Sequence, residues 1–131
     1  MAKILFIEDE TALQKTLSAV MEQAGHTVVN AYDGEKGLEL AQEAAPDLIL
    51  LDLILPKMDG FSVLEKLKGD QKTKDIPVIV LTNLESVDDV EKVIGLGATT
   101  YLVKANYDLD DIAGKINEVL RLGGSTSARE I

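Results

Sequence analysis

Asp52 stands where an acid is costly. Leu48-Ile49-Leu50-Leu51 precede it and Leu53-Ile54-Leu55 follow, so a carboxylate there needs a partner if it is buried. Many strand-end aspartates are turn residues or helix N-caps, but Asp59-Gly60 fills that place before the next helical segment. Asp52 then suits a carboxylate nucleophile, of the kind that forms an aspartyl phosphate. Three further places carry matching groups: the acidic run Glu8-Asp9-Glu10, the hydroxyl of Thr82 and the ammonium of Lys104. Clustered carboxylates repel one another and hold their protons unless a cation intervenes. A hard divalent ion with oxygen ligands resolves this, and Mg²⁺ commonly takes one or two carboxylates plus waters and phosphate oxygens. The expected arrangement is Mg²⁺ on Asp9, Asp52 and the backbone carbonyl of Ile54, with Glu8 reaching it through a bound water. Lys104 and Thr82 would hold the remaining phosphoryl oxygens.

Singly, each group has an ordinary explanation. Acidic triplets are often solvated loops or helix starts, lysines are mostly surface residues, and threonine is common in strands. Their positions along the chain decide the matter. Short aliphatic runs at Ile4–Ile7, Thr27–Ala31, Leu48–Leu51, Val78–Thr82 and Thr99–Val103 read as strands. Segments of helical period follow each one. Leu13, Leu17, Val20, Met21 and Ala24 form the first apolar face, stopped by Gly25. Leu38 and Ala41 face inward from a weak helix over 34–44, and Phe61, Leu64 and Leu67 mark the third. Val87, Val90, Val93 and Ile94 mark the fourth, ended by Gly95 or Gly97; Ile112, Ile116, Val119 and Leu120 mark the fifth. Five strands alternating with five helices predict an α/β, doubly wound (βα)5 fold with a parallel sheet covered on both faces. Sites in such folds form at the carboxyl ends of the strands. Glu8, Asp52, Thr82 and Lys104 all stand there.

Bulk properties narrow the function. The chain of 131 residues has room for one domain, expected over 1–122, with 123–131 a polar, flexible tail. Thirteen Lys and Arg against twenty-three Asp and Glu give a net charge of −10, which opposes direct binding to nucleic acid or an anionic membrane. Cysteine is absent and His26 is the single histidine, so thiolate chemistry, disulfides and His-cluster metal sites are excluded. The longest apolar stretch, 48–55, is broken by Asp52 and far too short to span a membrane, and no signal-peptide pattern follows Met1. A cytoplasmic protein is expected.

The sequence resembles the receiver domains of two-component response regulators from Lys3 to about Leu122. The resemblance rests on Glu8-Asp9, Leu50-Leu51-Asp52-Leu53 with Pro56-Lys57-Met58-Asp59-Gly60 behind it, Leu81-Thr82-Asn83, Gly95-Leu96-Gly97-Ala98 and Tyr101-Leu102-Val103-Lys104. Each piece is common alone; five in order at the right strand ends are specific. The resemblance implies a flavodoxin-like fold with strand order 2-1-3-4-5. It also implies phosphorylation of Asp52 by a histidine kinase or phosphotransfer protein, with the chain catalysing only its own phosphorylation and dephosphorylation. The signal would pass to a downstream protein through the face made by the fourth helix, fifth strand and fifth helix, on a monomer or a phosphorylation-dependent dimer. Thr82 and Tyr101 would form a coupled switch, the hydroxyl moving to the phosphoryl group and the ring turning inward behind it.

Two positions depart from the family pattern. Ala105 follows Lys104 where a proline, often with a cis peptide, is usual, so either a trans bond with a shifted loop or backbone strain is expected. The acidic pair is Glu8-Asp9 rather than two aspartates, a variation many receivers share. Ile54 and Leu84, two residues beyond Asp52 and Thr82, lie where the family tunes hydrolysis; both are large and apolar, which implies a persistent phosphorylated state. Three rival readings differ in chemistry. A flavodoxin-type flavin site would need a phosphate cradle where Glu8-Asp9-Glu10 presents anions. A haloacid-dehalogenase-type phosphatase would need an acid at Ile54. A receiver fold acting only as an unphosphorylated interaction module would not need the five filled chemical positions.

Overall fold

The computed structural model describes residues 2–122. Five strands alternate with five helices: β1 (Lys3–Ile7), α1 (Thr11–Gln23), β2 (Thr27–Ala31), α2 (Gly34–Ala44), β3 (Leu48–Leu51), α3 (Gly60–Gly69), β4 (Val78–Thr82), α4 (Val87–Gly95), β5 (Thr100–Val103) and α5 (Leu109–Arg121). All pairings are parallel, in the order β2-β1-β3-β4-β5. This is the doubly wound, flavodoxin-like architecture expected from the sequence. The proposed tail, 123–131, lies outside the described residues.

Burial on both faces explains why β1, β3 and β4 are apolar through their interiors. Leu5, Ile7, Ile49, Leu51, Val78 and Val80 face one way, onto α2, α3 and α4. Ile4, Phe6, Leu48, Leu50, Ile79 and Leu81 face the other way, onto α1 and α5. A strand buried on both faces has no polar positions until it leaves the core, so polarity returns abruptly at its carboxyl end. β2 is the exception: it is an edge strand and mostly half-buried. Local chemistry sets the helix limits. Asp33, Asp59, Ser86 and Asp108 each accept a backbone N–H from the first turn of the following helix. Gly25 and Gly97, at φ of 96° and 110°, take the left-handed position just after α1 and α4.

Two readings need correction. Val87 is 70% exposed and does not belong to the inner face of α4, because it is the first helical residue and projects beyond the core. The buried stripe of α1 is Gln14, Leu17, Ser18 and Met21, while Leu13 and Val20 are only half-buried and Ala24 is exposed. Of the two glycines expected to end α4, Gly97 does so, and Gly95 is the last residue within the helix. At the departure from the family pattern, no cis peptide occurs among the described residues, and β5 runs directly into a 3₁₀ turn over Lys104–Asn106.

Candidate functional site

Register brings the polar strand ends together. Ile7 pairs with Leu51 across β1 and β3, so the next residues, Glu8 and Asp52, emerge side by side on adjacent strands. Thr82 pairs with Val103 across β4 and β5, which places Lys104 one step beyond. The Asp52 N–H donates to the Ile7 carbonyl at 3.0 Å, and the Glu8 N–H donates to the Ala31 carbonyl at 3.0 Å. The sheet ladder therefore extends into the site and fixes the backbone of both acids. Behind Asp52 the chain turns back: the Gly60 N–H donates to the Leu53 carbonyl at 2.8 Å. A methyl group on Gly60 would collide with the Asp52 carbonyl oxygen and Leu53 Cα, so the start of α3 packs directly on the Asp52–Leu53 peptide.

Lys104 joins the acids. Its Nζ lies 3.1 Å from Asp52 Oδ2 and 2.7 Å from Glu8 Oε1, the second a close ion pair outside good hydrogen-bond alignment. Glu10 Oε1 is farther away, at 3.9 Å. The other Asp52 oxygen, Oδ1, accepts a weak bond from the Ile54 N–H at 3.3 Å. Glu8, Asp9 and Asp52 each present a carboxylate oxygen within 4.8 Å of the others, an all-oxygen group able to hold a hard metal ion. Glu8 and Asp52 are buried and Asp9 is exposed, so the group opens to solvent at Asp9.

The charge balance is incomplete. Burial pushes the Glu8 carboxyl up to about 7; the contact with Lys104 opposes this and the charge of Asp52 adds to it. Burial pulls the Lys104 ammonium down, but Glu8 and Asp52 outweigh it and its pKa rises. One cation thus serves two buried acids, a third stands at the rim, and a further positive charge fits the group.

Thr82 and Tyr101 occupy the neighbouring strand ends. The Thr82 hydroxyl is buried and has no hydrogen-bond partner among the described residues. Tyr101 is fully buried, and its hydroxyl donates to the Leu84 carbonyl at 2.7 Å. Burial, with the charges of Asp89 and Asp52, raises the phenol to about 12, so it stays protonated as a donor. Ile54 is 56% exposed, in the loop beyond Asp52.

Gln14 was not among the residues expected near the site. It lies on the buried stripe of α1, at three and seven residues from Leu17 and Met21, and its side chain is inside the protein. A polar residue at an apolar stripe position is the signal that could have found it.

The chain matches the response regulator receiver domain family over residues 4–117. It is 42% identical over 121 residues to the DNA-binding dual master transcriptional regulator RpaA of Synechocystis, covering 92% of this chain and 50% of that protein. It is 36% identical over 122 residues to protein PilH of Pseudomonas aeruginosa, covering 92% of this chain and 98% of that one. It therefore spans about half the length of RpaA and nearly all of PilH. Among solved structures, the Mn²⁺-bound form of response regulator Rcp1 matches with a TM-score of 0.78 and 31% identity over 100% of both chains. Among the described residues, no helix is long and apolar enough to cross a membrane. By its match to the family over most of its length and by its identity to these regulators, this chain belongs to the response regulator receiver domains of two-component signalling.

Proposed function

We propose that this receiver domain is a phosphorylation-dependent switch in which Asp52 accepts a phosphoryl group from a histidine kinase or phosphotransfer protein. The observation that carries the reading is the buried Asp52 carboxylate within 3.1 Å of the Lys104 ammonium, in an acidic group deficient in positive charge. In the transfer, an Asp52 oxygen forms a bond to phosphorus as the bond from phosphorus to the donor's imidazole nitrogen breaks. That nitrogen leaves with its electron pair and takes up a proton from solvent. Asp9 and Asp52, with the Ile54 carbonyl and Glu8 through water, are the residues that would hold Mg²⁺. When bound, Mg²⁺ supplies positive charge that offsets the charge of the phosphoryl oxygens.

The chain's own groups do the rest. Lys104 neutralises Asp52 in the resting state and is placed to follow the charge onto a phosphoryl oxygen. The unpartnered Thr82 hydroxyl gains an acceptor when that oxygen arrives. Movement of Thr82 is coupled to Tyr101 and so to the face of α4, β5 and α5, where a downstream protein reads the state. The receiver unit is taken as 1–122, acting from the cytoplasm as a monomer or a phosphorylation-dependent dimer. The similarity to Rcp1, whose solved structure is a Mn²⁺-bound form, supports a divalent cation in this fold. DNA binding named for RpaA belongs to a protein of which this chain covers half, and the net charge of −10 argues against it here. Incubation with MgCl₂ and acetyl phosphate tests the reading: intact mass spectrometry should show one added phosphoryl group. No addition, or the same addition in Asp52→Asn, would refute it.

A further inference from the structure

We infer that Gln14 is a positioning residue for the divalent cation, setting the direction of Asp9 through the Glu8 carbonyl; this rests on the metal reading above. Gln14 is 1% exposed, and its Nε2 lies 3.0 Å from the Phe6 carbonyl, 3.0 Å from the Glu8 carbonyl and 2.8 Å from the Ala31 carbonyl. An amide nitrogen has two hydrogens, so one is shared between acceptors. The three carbonyls belong to the ends of β1 and β2 and to the acidic loop itself. A flipped amide would turn its oxygen onto all three. Asn30 prevents this: its Nδ2 donates to Gln14 Oε1 and, at 3.0 Å, to Ser18 Oγ.

The consequence falls on Asp9. Asp9 is exposed, and its carboxylate has no hydrogen bond or ion pair among the described residues. Its direction is therefore set by the backbone on either side. On one side the Glu10 N–H donates to Glu8 Oε2 at 3.1 Å. On the other, the Glu8–Asp9 peptide is oriented by the Glu8 carbonyl, which Gln14 holds from below. Releasing that carbonyl frees the peptide plane to rotate and carries the Asp9 carboxylate away from Glu8 and Asp52. Gln14 thus acts on the cation without touching it, the role that outer partners of metal ligands commonly play.

The test is a MgCl₂ titration followed by backbone amide NMR shifts on the whole chain. Gln14→Leu should weaken Mg²⁺ binding about tenfold. Phosphorylation by acetyl phosphate should fall at low MgCl₂ and recover at saturation, since Asp52 and Lys104 are untouched. Val119→Ala, a core truncation near the C-terminal end of α5, should lower thermal stability and leave Mg²⁺ affinity unchanged. Asn30→Ala removes the orienting bond, together with the bond to Ser18 Oγ, but leaves the Gln14 amide in place; it should weaken Mg²⁺ binding to a lesser extent, which keeps the test available if Gln14→Leu does not fold. Unchanged affinity in the folded variants of Gln14 and Asn30, or an equal loss in Val119→Ala, overturns the inference and leaves the metal reading intact. A wild-type chain that binds no Mg²⁺ overturns both.

Discussion

The Lys104 ammonium stands 2.7 Å from Glu8 Oε1, nearer than to Asp52 Oδ2 at 3.1 Å. The only ammonium paired with these acids among the described residues is therefore shared, with the shorter contact going to the acid that is not the proposed nucleophile. Glu8 is the buried acid whose proton affinity is raised first by burial and then by the charge of Asp52, and its behaviour gives the first prediction.

Burial raises the folded pKa of Glu8 to about 7, above its ordinary 4.5. A raised pKa means that the folded chain holds the proton more tightly than the unfolded chain does. The resulting stability is fully present below about pH 4.5 and is lost as pH rises through about 7. Without divalent cations, unfolding free energy should fall across that window by an amount on the order of 2 kcal/mol. Glu8→Gln should flatten the slope, and saturating MgCl₂ should reverse it by favouring the ionised acid. Urea denaturation at a series of pH values measures this; an unchanged slope in Glu8→Gln would count against the charge deficit.

Thr82→Val separates stability from signalling. The hydroxyl it removes is buried with no partner among the described residues, so the folded chain should lose nothing and gain up to about 1 kcal/mol. The phosphorylated state loses a hydrogen bond and should be less populated at equal donor concentration. Denaturation curves and intact mass read the two effects. A destabilised resting state would show that the hydroxyl already has a partner, such as a trapped water.

Gly60→Ala should damage the site from behind. Its methyl group would meet the Asp52 carbonyl oxygen and Leu53 Cα, backbone atoms that cannot rotate away. The expected cost is about 3 kcal/mol, with weaker Mg²⁺ binding as the Asp52–Leu53 peptide shifts. A thermal melt and a MgCl₂ titration check both parts. Wild-type values for either would contradict the tight packing.

Sequence and structure agree where a single strong pattern governs. Leu48–Leu51 and Val78–Thr82 are strands to the residue, because aliphatic runs bounded by polar residues have one reading in a doubly wound fold. Glu8, Asp52, Thr82 and Lys104 were legible as strand ends. Val87 was misread because period alone cannot say that the first turn of a helix overhangs the core. The Gln14–Asn30–Ser18 bonds were missed for a different reason: they join α1 to β2, and no local spacing encodes that contact. The peptide after Lys104 was open between a trans bond with a shifted loop and backbone strain; no cis peptide occurs among the described residues, and the chain runs on into a 3₁₀ turn.

Ile54 and Leu84 should prolong the lifetime of a phosphoryl group on Asp52. Ile54 is 56% exposed and Leu84 partly buried, and their apolar side chains should obstruct an attacking water. Ile54→Asn and Leu84→Asn should each speed the loss of the phosphoryl group after the donor is removed. Intact mass followed over time gives the rate, and an unchanged decay in both variants would contradict the shielding.

The position of the phosphoryl group identifies the nucleophile. Borohydride reduction of the phosphorylated chain converts an acyl phosphate into the corresponding alcohol, and peptide mapping then identifies the residue. Homoserine is expected at position 52, and no other acid should be reduced. Reduction at Glu8 or Asp9, or an unreduced Asp52 in a chain that carries a phosphoryl group, would contradict it.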